Sequence, residues 1–121
     1  MTEQRTGSRA YGTHDVMSAI EFEEEVRRVA RFNVGPPVAN PLAEAVKKIK
    51  DNPAFTQSRL LGRMLTALTY QRGEFRRAEA SALDSATLGL VVALMNAACA
   101  GTTERADWIN AVTASDAAAA E

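Results

Sequence analysis

A nucleophile with its base, a metal centre and an acid–base dyad each need particular side chains, and this chain supplies few of them. It has one histidine, His14, and one cysteine, Cys99, in 121 residues. A single histidine gives no ordinary His-based metal site and no Ser/His or Cys/His pairing. His14 reads as an exposed residue near a helix start. Cys99 falls in an apolar stretch with no basic side chain on the preceding turns. A reactive thiolate needs electropositive, partly exposed surroundings, so Cys99 reads as inert packing. The run Glu21, Glu23, Glu24, Glu25 offers carboxylates, but helical geometry spreads neighbours around the axis, and Arg27 and Arg28 follow within a turn. It reads as a solvated face. Gly62 and Gly89 lie inside helical patterns with no strand before them, so they are close-packing positions rather than phosphate loops. No catalytic, cofactor-binding or metal-binding residue is expected, and the chain is not expected to be an enzyme.

The remaining chemistry is charge. The net formal charge is −1, which by itself points to no partner. Its distribution is uneven: residues 42–77 carry +5, residues 78–121 carry −5 and residues 1–41 carry −1. The basic stretch holds Lys47, Lys48, Lys50, Arg59, Arg63, Arg72, Arg76 and Arg77, with Tyr70 and Phe75 interleaved. Arg59 and Arg63 are four residues apart and share a helix face. Arg59, Arg63, Arg72, Arg76 and Arg77 therefore form a candidate phosphate-contacting set, and nucleic acid is the alternative partner. A helix-turn-helix reader is harder to build, because a recognition helix reading SATLGLVVAL has nothing suited to base edges. A mixed surface, or complementarity of the basic middle to the acidic end, competes with this reading.

These residues must be held by helices. At 46% apolar and 24% charged, the composition is that of one globular domain. Arginine well above lysine, with abundant alanine, fits a GC-rich bacterial genome. Residues 1–13 have no periodicity and read as a disordered tail without a secretory h-region. An amphipathic helix is expected over 14–32, its apolar face carrying Phe22, Val26 and Val29, its outer side laced by Glu23–Arg27 and Glu24–Arg28 pairs. Residues 33–39 (NVGPPVA) form a Pro/Gly linker, so this first helix reads as a separable arm.

A helical bundle is expected over 40–113. Asn40-Pro41 is a cap followed by a first-turn proline, opening a helix with Leu42, Val46 and Ile49 inward. A second helix runs from Thr56 to Gln71 on Leu61, Met64, Leu65 and Leu68, with Gly73 as its C′ residue. A third covers Glu74 to Leu83 with Phe75, Ala78, Ala82 and Leu83 inward. Ala86 to Ala100, apolar all round, reads as the central core helix, capped by Asp84 or Ser85 and stopped by Gly101. The last helix carries Trp108, Ile109 and Val112, and the Ala-rich tail 114–121 is expected to fray. The apolar run within Ser85–Thr103 is shorter than the ~20 residues of a membrane span, and one cysteine suits a reducing, cytoplasmic compartment.

Ser58-x-x-Leu61-Gly62, Gly73 and Arg77-Ala78-Glu79 are echoed about 27 residues on by Ser85-x-x-Leu88-Gly89, Gly101 and Arg105-Ala106-Asp107. This describes two stacked helical hairpins. The fragment Gly73-Glu74-Phe75-Arg76-Arg77-Ala78 resembles the junction inside a tetratricopeptide repeat, over about a fifth of the chain. The spacing is shorter than that family's repeat and Thr103 replaces the aromatic in the second copy, so we read it as convergent hairpin chemistry.

The sequence thus predicts an all-α fold: a small bundle of about five short helices preceded by a linked amphipathic helix. The expected function is a protein-interaction or assembly module (adaptor, chaperone-like or small regulatory subunit). Phe22, Val26, Val29 and Phe32 form its partner face, and a protein partner or self-association is expected, with no cofactor and no membrane.

Overall fold

A computed structural model describes residues 16–31 and 38–120. The expected tail 1–13, His14, Phe32 and most of the Pro/Gly linker lie outside the described residues. The fold is all-α: six helices and one two-stranded sheet among the described residues. In chain order these are β1 (Val16–Ser18), α1 (Ala19–Ala30), α2 (Pro41–Asp51), α3 (Thr56–Tyr70), β2 (Glu74–Arg76), α4 (Arg77–Ala82), α5 (Ser85–Ala100) and α6 (Arg105–Ala120).

Local chemistry sets the ends. Ser18 caps α1 through a reciprocal box, its hydroxyl accepting from the Glu21 N–H while the Glu21 carboxylate accepts from the Ser18 N–H. Asn40 caps α2 ahead of Pro41, and Asp84 caps α5 by accepting from the Thr87 N–H at 2.7 Å. Gly101 ends α5 in the left-handed conformation, as its sequence position implies. The end of α3 differs from expectation. Gln71, not Gly73, takes the left-handed cap (φ +58°), and Gly73 at φ +134° then turns the chain into β2.

The helix α3 is the centre, touching α1, α2, α5 and α6. Leu60, Leu61, Met64, Leu65, Ala67 and Leu68 are buried along it. The expected central helix, α5, is in contact with α1, α2 and α3 and leaves Cys99 and Asn96 exposed. The N-terminal arm is not separate: α1 packs on α4, α5 and the sheet. The region expected as one helix from Glu74 is a strand followed by a helix. Phe75, Ala80 and Leu83 are buried, while Ala78 and Ala82 face solvent. That strand also removes the repeat-like junction, since Phe75 acts from a sheet. At the other end, α6 continues to Ala120 where fraying was expected, because Ser115 and Ala118 are buried on α2 and α3. Small residues achieve this where no large apolar one is present, by letting the backbones approach.

Gly62 fulfils its packing role at that contact. A Cβ placed there would stand 2.7 Å from Ser115 Oγ on α6. Alanine for glycine inside a helix ordinarily stabilises by roughly 0.5–1 kcal/mol. We expect Gly62→Ala to gain nothing or to lose about 1 kcal/mol in urea unfolding, and to regain the ordinary benefit in a Ser115→Gly background. A full gain in the single variant would contradict the close approach.

Candidate functional site

The sheet is three residues long on each side, with Met17 opposite Phe75. Phe75 is buried and stacks on Phe22 of α1, ring centroids 4.2 Å apart and planes within 8°. The Arg63 guanidinium lies over the Phe75 ring, 4.7 Å from its centroid. With Phe22 on one face, the cation must take the other.

Arg63 also closes the sheet. It donates to the Glu74 carbonyl at 2.7 Å and pairs with Glu79 at 2.5 Å. Glu79 in turn accepts from the Arg76 N–H at 2.8 Å. Strand groups two residues apart face the same way, so the Arg63–Glu79 pair occupies the edge of β2 that a third strand would otherwise use. Burial works against the charged Glu79, yet the hydrogen bonds from Arg63 and the Arg76 N–H outweigh it and lower its pKa.

A second network ties α1 to α4. Glu25 is 6% exposed and receives Arg28 from its own helix and Arg77 from α4, the latter at 3.0 Å. Hydrogen bonding from Arg28 lowers the Glu25 pKa in spite of burial. The acidic run is therefore not a uniformly solvated face: Glu21 caps the helix and Glu25 is an interior anchor. Arg28 turns to Glu25 rather than Glu24, and Arg27 donates to Asn96 at 3.1 Å and lies 4.0 Å from Cys99 Sγ.

The expected partner face is redirected by this packing. Phe22 and Val26 are fully buried in the chain's own core, and Val29 is half-buried against it. Their apolar face serves cis packing, and Phe32 lies outside the described residues. The candidate phosphate set is divided. Arg63 and Arg77 are engaged by Glu79 and Glu25, Arg76 is exposed beside Glu79, and Lys47 pairs with Asp51 at 3.0 Å.

Arg59, Arg63 and Arg72 nonetheless line one opening, a groove of about 640 Å³ between α3 and α6. Its floor includes Gly62, Phe75 and Ser115, and Asp116 of α6 stands on the opposite wall. Lys47 and Lys48 line a different opening beside Asn40, and Lys50 a third between α2 and α6. In the groove, the Thr66 hydroxyl donates to the Gly62 carbonyl and the Ser58 hydroxyl to the Lys48 carbonyl. Both hydroxyls are thus bonded to backbone oxygens and not to a base. Sequence reasoning missed the pairing of Glu79 with Arg63, the place of Asp116 in the groove and the exposure of Phe55, each of which depends on which helices meet. No helix among the described residues is long and apolar enough to cross a membrane, and none of the described His, Cys, Asp and Glu residues form a group able to hold a metal ion. No protein-family model, curated protein or solved structure matches this chain.

The lowered carboxylates make an acid-side prediction. Glu25 and Glu79 have folded pKa values below the ordinary 4.5, so they stabilise the fold above that pH and the contribution is lost as pH falls through the folded values. Urea unfolding followed from neutral pH downward should show stability declining below about pH 4.5, with a shallower decline in Glu25→Gln. An identical acid limb in that variant would contradict the role given to Glu25.

Proposed function

We propose that this chain is a protein-interaction or assembly module without catalytic activity of its own, serving as an adaptor, chaperone-like or small regulatory subunit. One observation carries the reading: the α3–α6 groove is open and largely apolar, with charged side chains at its rim. An open groove of this kind leaves a small molecule exposed on one side, whereas small-molecule sites bury most of the ligand. A protein surface can cover it. Apolar floor and charged rim are also the arrangement of a protein–protein contact. A cytoplasmic setting fits the single cysteine.

Nucleic acid is the second reading, favoured by Arg59 and Arg72, which have no ion-pair partner among the described residues. The engagement of Arg63 and Arg77 weakens it, because a neutralised arginine releases no counterions on meeting phosphate.

A photo-crosslinking residue placed at Thr66 in the groove, with exposed Ala117 as the control position, tests both in source-cell lysate with and without nuclease. We expect discrete protein adducts from Thr66 that survive nuclease and are absent from Ala117. Adducts that vanish with nuclease, or none at all, would overturn the interaction-module reading.

A further inference from the structure

The groove contains its own complement. On one wall Arg59 and Arg72 lack an ion-pair partner among the described residues, and the Arg72 guanidinium lies over the Tyr70 ring, 5.2 Å from its centroid. Asp116 and Glu74, also in the lining, lack ion-pair partners among the described residues as well. With Arg63 neutralised by Glu79, these two cations and two carboxylates, unpaired among the described residues, leave the groove no net charge to attract a strongly acidic or a strongly basic ligand. They suit a surface carrying both signs.

A projecting apolar side chain lies beside this recess. Phe55 is 61% exposed, the largest apolar side chain left so open among the described residues. It sits one turn before Arg59 and two residues after Pro53, which itself lines the groove. No described residue covers it. A knob next to a hole, with unpaired charges of both signs around the hole, is a self-complementary patch. A two-fold axis satisfies such a patch twice, because residue i meets j and j meets i.

We propose that the α3–α6 groove is the interface of a two-fold homodimer, in which Phe55 of each copy enters the other's groove. Arg59 then faces the partner's Asp116, and the reciprocal pair forms by symmetry. Aromatic anchors in such pockets carry much of the energy of an interface, and the rim pairs set its register. The inference rests on the interaction-module reading and names a second copy of this chain as the partner.

Sedimentation equilibrium of the full chain, from micromolar to millimolar concentration, reads the outcome, with circular dichroism confirming that each variant is folded. Phe55 and Arg59 are exposed, so substitutions there leave the core intact. We expect a reversible monomer–dimer equilibrium whose dissociation constant rises about 30-fold or more in Phe55→Asp. Arg59→Asp and Asp116→Arg should each weaken it about fivefold, and the double variant should recover most of that loss. A monomer throughout, an open series of larger species, or a dimer indifferent to Phe55→Asp would overturn the proposal. A monomeric chain that still gives nuclease-resistant adducts with another protein from Thr66 overturns the dimer alone and leaves the module reading standing. A chain that neither dimerises nor gives adducts overturns both.

Discussion

The ring of Phe75, held between the ring of Phe22 and the guanidinium of Arg63, is the contact on which the rest of the architecture depends. It joins three parts of the chain that are distant in sequence: α1, β2 and the central helix α3. An aromatic ring offers two electron-rich faces. Here one meets a second ring in an apolar interior, and the other meets a cation that also donates to the Glu74 carbonyl and the Glu79 carboxylate. Replacing either neighbour by a side chain of the wrong shape would leave a void beside a buried aromatic, where vacated volume is costly. The three-residue strands are too short to be stable as a sheet alone. They persist because Phe75 is fixed from both faces and Met17 is buried opposite it.

The same arginine explains how so small a sheet avoids presenting an edge. Arg63 and Glu79 satisfy the outward carbonyl and amide of β2 and one another, so backbone pairing with another chain is closed there. Glu25 performs the corresponding service between α1 and α4, where a carboxylate with almost no solvent access is matched by two cations. Part of the charge that looked like a ligand-binding asset, at Arg63 and Arg77, is therefore architectural. Arg59, Arg72, Glu74 and Asp116, which have no ion-pair partner among the described residues, come together in the α3–α6 groove. Their convergence in one opening is what makes that groove the proposed interaction surface.

Much of the helical framework was legible because its signals are local. The Asn40-Pro41 start, the Asp84 cap and the Gly101 stop each act within a few residues, and the Leu61, Met64, Leu65 and Leu68 stripe has the period of one buried helix face. The errors arose where a neighbour distant in sequence decides the outcome. Phe22 and Val26 gave a correct apolar face, but periodicity does not say whether that face meets its own chain or another. Phe75 read as helical until the strand at 16–18 paired with it, and three residues of alternation are too few to declare a strand. Ser115 and Ala118 carry little hydrophobic signal, and they are buried because α6 packs on α2 and α3, with Ser115 against Gly62. Cys99 was misread for the reverse reason: an apolar stretch does not reveal which flank of α5 is left open. The Arg59–Arg63 face was readable, whereas the capture of Arg63 by Glu79 required knowing that α4 folds back beside α3.

The central claim is that α1 belongs to the cooperative core and is not an arm that opens on its own. Native-state hydrogen exchange on the full chain measures this directly, since segments that open independently exchange at a lower free energy than the global transition. The structure predicts that buried-face amides of α1, such as those of Glu25 and Val26, exchange with the same opening free energy and the same denaturant dependence as those of Met64 and Leu65 in α3. If the α1 amides instead exchanged through a separate opening several kcal/mol below that of α3, the Phe22–Phe75–Arg63 contact would not be holding the fold together.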